Sequence, residues 1–270
     1  MADLGNQLSR SHALSGKEAQ RFGYAVVLDG RAFEPVGHAL VRIVPAEGVV
    51  VDAKRRPCVI IDPRAGHGPG TGGFKGDSRV GAALREGHPV HFVIYPEPDP
   101  GQTLLDVCGT QSRFVHQVRG LHPESAKPAV TGNCQGGWAA MMLAAANPDG
   151  AWLVEDFEHL DPANTFFDKL WSGAVASGRG RAFDLRAPKV PIVLFASLGD
   201  DITPPQQAFN WVAVIYGRAE EIKARGRVIV GLTHENIGHL GVFVSGKAAK
   251  EEHAQIVSVL KSIEALPPGL

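Results

Sequence analysis

Gly132-Asn133-Cys134-Gln135-Gly136-Gly137 is the stretch that decides the fold. It follows a short apolar segment, 128–131, that is typical of a buried strand, and it precedes an alanine-rich segment, 135–147, that is typical of a helix. A nucleophilic side chain between a strand and a helix, with small residues two positions before and after it, has the form of a nucleophile elbow with cysteine in place of serine. The small residues are needed because the backbones of the strand and the helix pass close to each other there.

The turn gives Cys134 a chemical role as a candidate nucleophile. Its sulfur lies at the start of a helix, where the helix dipole favours a thiolate, and the backbone N–H of Gln135 is a candidate donor to a developing oxyanion. The alternative is that Cys134 is a small buried apolar residue in a tight glycine turn. No serine of the chain lies in a Gly-x-Ser-x-Gly context, so no competing nucleophile of that type exists.

Apolar strand patterns alternate with amphipathic helix patterns on both sides of the turn. The sequence predicts strands at 24–28, 39–44, 58–62, 90–95, 128–131, 190–196 and 227–232, the first two antiparallel, and helices at 77–86, 103–121, 135–147, 204–216 and 247–266. This alternation predicts a mostly parallel sheet with helices on both faces. Together with the elbow it predicts an α/β-hydrolase fold.

The same patterns predict the domain organisation. Residues 1–20 are polar and aperiodic, which predicts a flexible N-terminal arm, and residues 21–270 are expected to form a single domain. Residues 149–189 carry little strand signal. We interpret them as a reduced cap or a substrate-facing excursion.

An α/β-hydrolase fold requires an acid and then a histidine after the elbow, each in a loop that follows a later strand. The strand at 190–196 is followed by Asp200, and the strand at 227–232 is followed by His239. Asp200 would orient the imidazole, and His239 would take the thiol proton and return it to the leaving group. The alternatives are that Asp200 or Asp201 caps the next helix and that His239 is an ordinary loop histidine.

The glycine-rich segment 62–73 follows the third predicted strand, where these folds recruit a second oxyanion donor. The backbone amides of Arg64 and Ala65 are the candidates, and His67 is a candidate pocket residue. Such amide clusters also bind phosphates, so the segment could instead hold a coenzyme A phosphate. It lacks the Lys-Ser/Thr pair of a nucleotide-binding P-loop.

Composition and spacing argue against several other classes. His234 and His239 are five residues apart, so they would point about 140° away from each other on a helix, and we predict no metal site. A net charge of −1 argues against nucleic acid. The longest apolar run, 138–146, is too short to span a membrane, and the N-terminal segment has no secretion-signal core, which predicts a cytoplasmic protein.

At these residues the sequence resembles the poly(3-hydroxyalkanoate) synthase-like family of the α/β-hydrolase superfamily. The resemblance is carried by DPRAGHGPGTGGFKGDS (62–78), GNCQGGW (132–138), DITPPQQA (201–208) and GHLGVFVSG (238–246). It implies that Cys134, Asp200 and His239 pass hydroxyacyl groups from coenzyme A thioesters to a growing polyester, with no cofactor other than the coenzyme A of the substrate. Dienelactone hydrolases share the elbow and use the same three residue types for hydrolysis.

The chain departs from the family pattern in two places. The segment after the elbow helix is short and its pattern predicts no further sheet strand. It therefore predicts a reduced cap, which would protect a thioester intermediate less well from water. The position after the acid, commonly histidine in the synthases, is Asp201, and the two adjacent carboxylates are expected to raise each other's pKa.

The sequence therefore predicts an acyl-transfer enzyme that acts on ester or thioester substrates through a Cys134 acyl-enzyme, by synthase-like transfer or by hydrolysis. The alternatives are a dienelactone-hydrolase-like or polyester hydrolase, and a non-catalytic granule-associated binding protein. Asn133, Asp201 and His67 are the candidate substrate-pocket residues. The expected partner is a small ester, a thioester or a polyester oligomer, and the oligomeric state is left open, a homodimer included.

Overall fold

The structure is a computed structural model that describes residues 22–33, 36–62, 78–95, 102–151, 153–157, 174–176, 182–239, 262–263 and 265–267. The predicted arm at 1–20 lies outside these residues. So does nearly all of the predicted closing helix at 247–266.

An eight-stranded sheet forms the centre of the described chain, in the order β1-β2-β4-β3-β5-β6-β9-β10. Its strands are β1 (Gly23–Asp29), β2 (Ala39–Val44), β3 (Cys58–Ile61), β4 (Val90–Ile94), β5 (Ala129–Asn133), β6 (Leu153–Phe157), β9 (Ile192–Ser197) and β10 (Ile229–His234). β2 pairs antiparallel with β1 and β4, and all other pairs are parallel. A separate antiparallel pair is formed by β7 (Ala174–Ala176) and β8 (Ala182–Asp184).

Five α-helices connect the described strands. They are α1 (Arg79–Arg85), α2 (Leu104–Leu121), α3 (Gln135–Ala146), α4 (Pro205–Tyr216) and α5 (Ala219–Ala224). α2 begins with a capping box in which the Thr103 hydroxyl accepts from the Asp106 backbone and the Asp106 carboxylate accepts from the Thr103 backbone. No helix among the described residues has both the length and the apolar character that a membrane span requires.

Buried apolar side chains lie on both faces of the sheet. Val59, Ile61 and Val130 pack with α2 and α3 on one face. Ile60 and Phe92 pack with α1 on the other face. The alternation of Ile60 and Ile61 between the two clusters follows from the period of two in a strand, so each strand contributes to two cores.

The predicted strands and helices that lie within the described residues are confirmed to within two residues at each end. Four of the strands and helices named above were not predicted: β6, α5, and the paired strands β7 and β8, which lie in the segment 149–189. β6 lies between β5 and β9, so the further sheet strand that the sequence reading judged absent after the elbow helix is present. Glu155 and Asp156 occupy its centre and hide the apolar pattern that marks a buried strand. None of the residues of α5 is buried and its sequence carries no apolar stripe, so no helix pattern marks it.

Candidate active site

Cys134 occupies a strained turn between β5 and α3. Its backbone has φ 54° and ψ −121°, and it is the one non-glycine residue with positive φ in the described part of the chain. Such a conformation is costly for a residue with a Cβ and is found where function requires it. A small buried apolar residue would not need this backbone, so the strain favours the interpretation of Cys134 as a nucleophile.

The two glycines of the elbow are required by close backbone approaches. A Cβ on Gly132 would collide with the carbonyl oxygen of Gly136, one turn ahead in α3. A Cβ on Gly136 would collide with the carbonyl oxygen of Ile61 at the end of β3. The spacing in the sequence thus reflects the packing of α3 against β5 and β3, as the elbow interpretation predicts.

Asp200 and His239 form a hydrogen-bonded pair. Asp200 follows β9 and His239 follows β10, and His239 Nδ1 lies 2.8 Å from Asp200 Oδ2. The Asp200 side chain is fully buried and the His239 side chain is 12% exposed. Because β5, β9 and β10 belong to the parallel part of the sheet, their carboxyl ends share one edge, and Cys134 lies at that same edge.

Hydrogen bonds hold Asp200 as a carboxylate. Burial alone would raise its pKa, but bonds from the Thr203 hydroxyl, from His239 and from two backbone amides keep the pKa below the ordinary value. The N–H groups of Ile202 and Thr203 donate to Oδ1 at 2.8 and 3.0 Å. The expectation that an adjacent carboxylate raises the pKa of Asp200 is therefore wrong, because donors surround the buried oxygens while Asp201 is exposed.

The ionised carboxylate fixes the tautomer of His239. A carboxylate can only accept hydrogen bonds, so we infer that His239 Nδ1 carries the hydrogen. In that neutral tautomer His239 Nε2 is the basic nitrogen. This is the arrangement that a general base next to a nucleophile requires.

Thr203 is a further candidate site residue, which the sequence did not indicate. Its hydroxyl donates to Asp200 Oδ2, and its Oγ1 also lies 3.2 Å from His239 Nδ1. The available signal was a hydroxyl three residues after the acid, which is the spacing at which a side chain can fold back onto an aspartate.

Two residues hold the acid loop against the histidine loop. Ser197, buried at the end of β9, accepts through Oγ from the N–H of Gly199 at 3.2 Å and from the N–H of Ile237 at 3.0 Å. A Cβ on Gly199 would come within 2.9 Å of the carbonyl carbon of Asn236. The position of His239 relative to Asp200 therefore depends on contacts between the loops as well as on their mutual bond.

The remaining predicted site residues fall into two groups. Gln135 is the first residue of α3, so its N–H has no acceptor within the helix. Asp201 does not cap the following helix, since Pro204 is the N-cap of α4 and no side chain caps it. Asn133 is the last residue of β5 and is fully buried. A second group lies outside the described residues: Arg64, Ala65 and His67.

His234 is the histidine that the sequence analysis weighed as a metal ligand together with His239. It ends β10, and its Nδ1 accepts from the N–H of Asn236 at 3.1 Å. Among the described residues no group of three or more His, Cys, Asp or Glu side chains is arranged to hold a metal ion.

The model of the family described as "Protein of unknown function (DUF3141)" matches residues 1–149 and 167–270. The chain belongs to this family. A curated relative, the "Uncharacterized protein in ackA 5'region" of Rhizobium meliloti, is 35% identical over 367 aligned residues that include all of this chain and 50% of the relative. The chain thus spans about half the length of the curated relative it matches.

Solved structures similar to this DUF3141 member have the α/β-hydrolase fold. Est1E from Butyrivibrio proteoclasticus is 13% identical with a TM-score of 0.53, covering 89% of this chain and 100% of its own. The esterase Est2 from Thermogutta terrifontis is 15% identical with a TM-score of 0.55, covering 90% and 92%. XC6422 from Xanthomonas campestris, described as an a/b serine hydrolase without lid, is 15% identical with a TM-score of 0.52, covering 93% and 100%. At these identities the likeness shows the fold alone, and it confirms the predicted fold class.

Proposed function

We propose that this chain is an acyl-transfer enzyme that cleaves ester or thioester bonds through a Cys134 acyl-enzyme, with hydroxyacyl-type substrates as the preferred class. The observation that carries the proposal is the strained backbone of Cys134 at the same sheet edge as the Asp200–His239 pair. The chain order of nucleophile, acid and histidine is that of α/β-hydrolases. Two of the similar structures are named as esterases or hydrolases, which supports the same reaction class.

The proposed reaction has two steps. His239 Nε2 takes the Cys134 proton, the sulfur attacks the carbonyl carbon, and the bond to the leaving alcohol or thiol breaks as His239 protonates that group. The amide of Gln135 would stabilise the oxyanion, with a second donor from the predicted loop at 64–66. Water or an acceptor hydroxyl then attacks the thioester and gives its proton to His239, which releases the acyl product and restores the thiol.

The length of the alignment with the Rhizobium meliloti relative bears on the choice between transfer and hydrolysis. The alignment runs over 367 residues although this chain has 270, so the relative carries residues that have no counterpart here. The reduced cap that the sequence predicts at 149–189 would account for part of this difference in length. A smaller cap leaves an acyl-enzyme open to water, so we favour hydrolysis over polymer transfer.

Turnover of short nitrophenyl esters and of hydroxyacyl-coenzyme A tests the proposal. Cys134→Ala is expected to abolish turnover of both, because no other described group replaces the nucleophile. Cys108→Ala is the matched control: Cys108 is buried on α2, where burial raises its thiol pKa to about 12, and this variant should keep full activity. Full activity in Cys134→Ala would refute the proposal.

One alternative is a non-catalytic binding protein that keeps the elbow as architecture and lacks residues that the Rhizobium meliloti relative carries. A binding protein would bind polyester oligomers equally well before and after alkylation of Cys134 and would turn over no ester. An enzyme would lose turnover on alkylation.

A further inference from the structure

Asn133 carries a buried amide without a hydrogen-bond partner. The residue is 0% exposed, and within the described part of the chain neither Oδ1 nor Nδ2 has a partner. A buried polar group left unpaired destabilises the folded state. An apolar side chain of the same size would avoid this cost, so the amide is retained against stability.

The position of Asn133 in the chain brings this amide close to the candidate nucleophile. It is the last residue of β5 and the chain neighbour of Cys134. Cys134 itself is only 6% exposed, and the Asp200 side chain is fully buried. An acyl group on Cys134 would therefore lie beside side chains that are largely removed from water.

We propose that the Asn133 amide binds a hydroxyl substituent on the acyl part of the substrate, an inference that rests on the proposed function and assigns a residue to its substrate preference. The amide offers both a donor, Nδ2, and an acceptor, Oδ1. A hydroxyl both donates and accepts, so it satisfies the two atoms with one small group. A plain acyl chain leaves both unpaired, and a site built around a hydrogen bond discriminates against ligands that lack the matching group.

The test compares nitrophenyl hydroxybutyrate with nitrophenyl butyrate. The two esters share a leaving group and have the same number of carbon atoms in the acyl chain. The wild-type chain is expected to prefer the hydroxy ester in kcat/KM. Asn133→Leu is expected to lower that preference about tenfold, because kcat/KM falls for the hydroxy ester and not for the butyrate ester. A tenfold change corresponds to about 1.4 kcal/mol, which is the value of one hydrogen bond. Equal preference in both proteins overturns the inference, as does a wild-type preference for butyrate.

Thr110→Val is the matched control. The Thr110 hydroxyl is also fully buried and unpartnered among the described residues, but it lies on α2 against the turn at Gly30, not next to Cys134. The control should keep the hydroxy preference unchanged. A similar loss of preference in Thr110→Val would overturn the inference, since the effect would then follow from any change to a buried polar group.

Thermal unfolding supplies the second measurement. Asn133→Leu is expected to unfold at the same temperature as the wild type or higher, because it removes an unpaired amide. If leucine prevents folding, Asn133→Ala removes the same group without adding atoms and should show the same loss of preference. If the wild-type chain shows no Cys134-dependent turnover of either ester, the proposed function fails instead. The two failures are therefore distinguishable.

Discussion

At the scale of single residues, the candidate site divides into side chains that a motif specifies and side chains that only the folded loops bring together. Cys134, Asp200 and His239 could be predicted because the elbow fixes the first and the chain order of the fold places the other two. Thr203 could not, since a hydroxyl three residues after an acid can also point away from the carboxylate. It is found only when the bonds to Asp200 are seen.

Substitution of Thr203 tests its role as a positioning residue for the Asp200–His239 pair. Thr203→Val keeps the shape and removes a hydroxyl bond to the carboxylate, so the pKa of Asp200 rises toward its ordinary value. We expect kcat/KM to fall about tenfold and the acidic limb of its pH profile to move to higher pH. Thr203→Ser restores the hydroxyl and should restore both. An unchanged pH profile in Thr203→Val would contradict the role.

At the scale of secondary-structure elements, the elbow depends on the close packing of α3 on β5 and β3. Glycine is the only residue that fits at position 132, whereas Gly109, exposed on α2, has no atom within 4 Å of an added Cβ. Strand–helix packing of this kind could be predicted from the glycine spacing. β6 could not, because the two acidic residues at its centre are atypical of a strand that lies between two others.

A pair of glycine substitutions tests this packing. Gly132→Ala is expected to lower the free energy of unfolding by about 3 kcal/mol or more, because the methyl group collides with backbone that cannot move independently. Gly109→Ala should raise it by about 0.5–1 kcal/mol, the difference between glycine and alanine inside a helix. Urea denaturation measures both. Equal stability of the two variants would show that α3 does not approach β5 as described.

At the scale of the whole molecule, a histidine pair links the sheet to the end of α2 on the side away from the active-site edge. His91 Nε2, buried in β4, lies 3.0 Å from His122 Nε2 at the C-cap of α2. Burial, the neighbouring His122 and the charge of Arg42 lower the pKa of His91 to about 3. Burial also lowers the pKa of His122.

This pair predicts how stability depends on pH. The unfolded His91 binds a proton near its ordinary pKa of about 6.5, while the folded residue stays neutral, so stability is complete above 6.5 and is lost as the pH falls toward 3. The slope is about 1.4 kcal/mol per pH unit for one such group. His91→Gln should flatten the dependence, and His116→Gln, an exposed histidine on α2, should leave it unchanged. Identical pH dependence in wild type and His91→Gln would contradict the buried neutral pair.

The central claim is that Cys134 forms a covalent acyl intermediate, and intact-protein mass spectrometry after mixing with an activated ester tests it most directly. The account predicts one added acyl mass on the wild-type chain, located at Cys134 after proteolysis and absent from Cys134→Ala. It predicts that His239→Ala, which lacks the proposed base, acylates more slowly. No adduct on the wild-type chain with any activated ester, or an adduct that persists in Cys134→Ala, would contradict it.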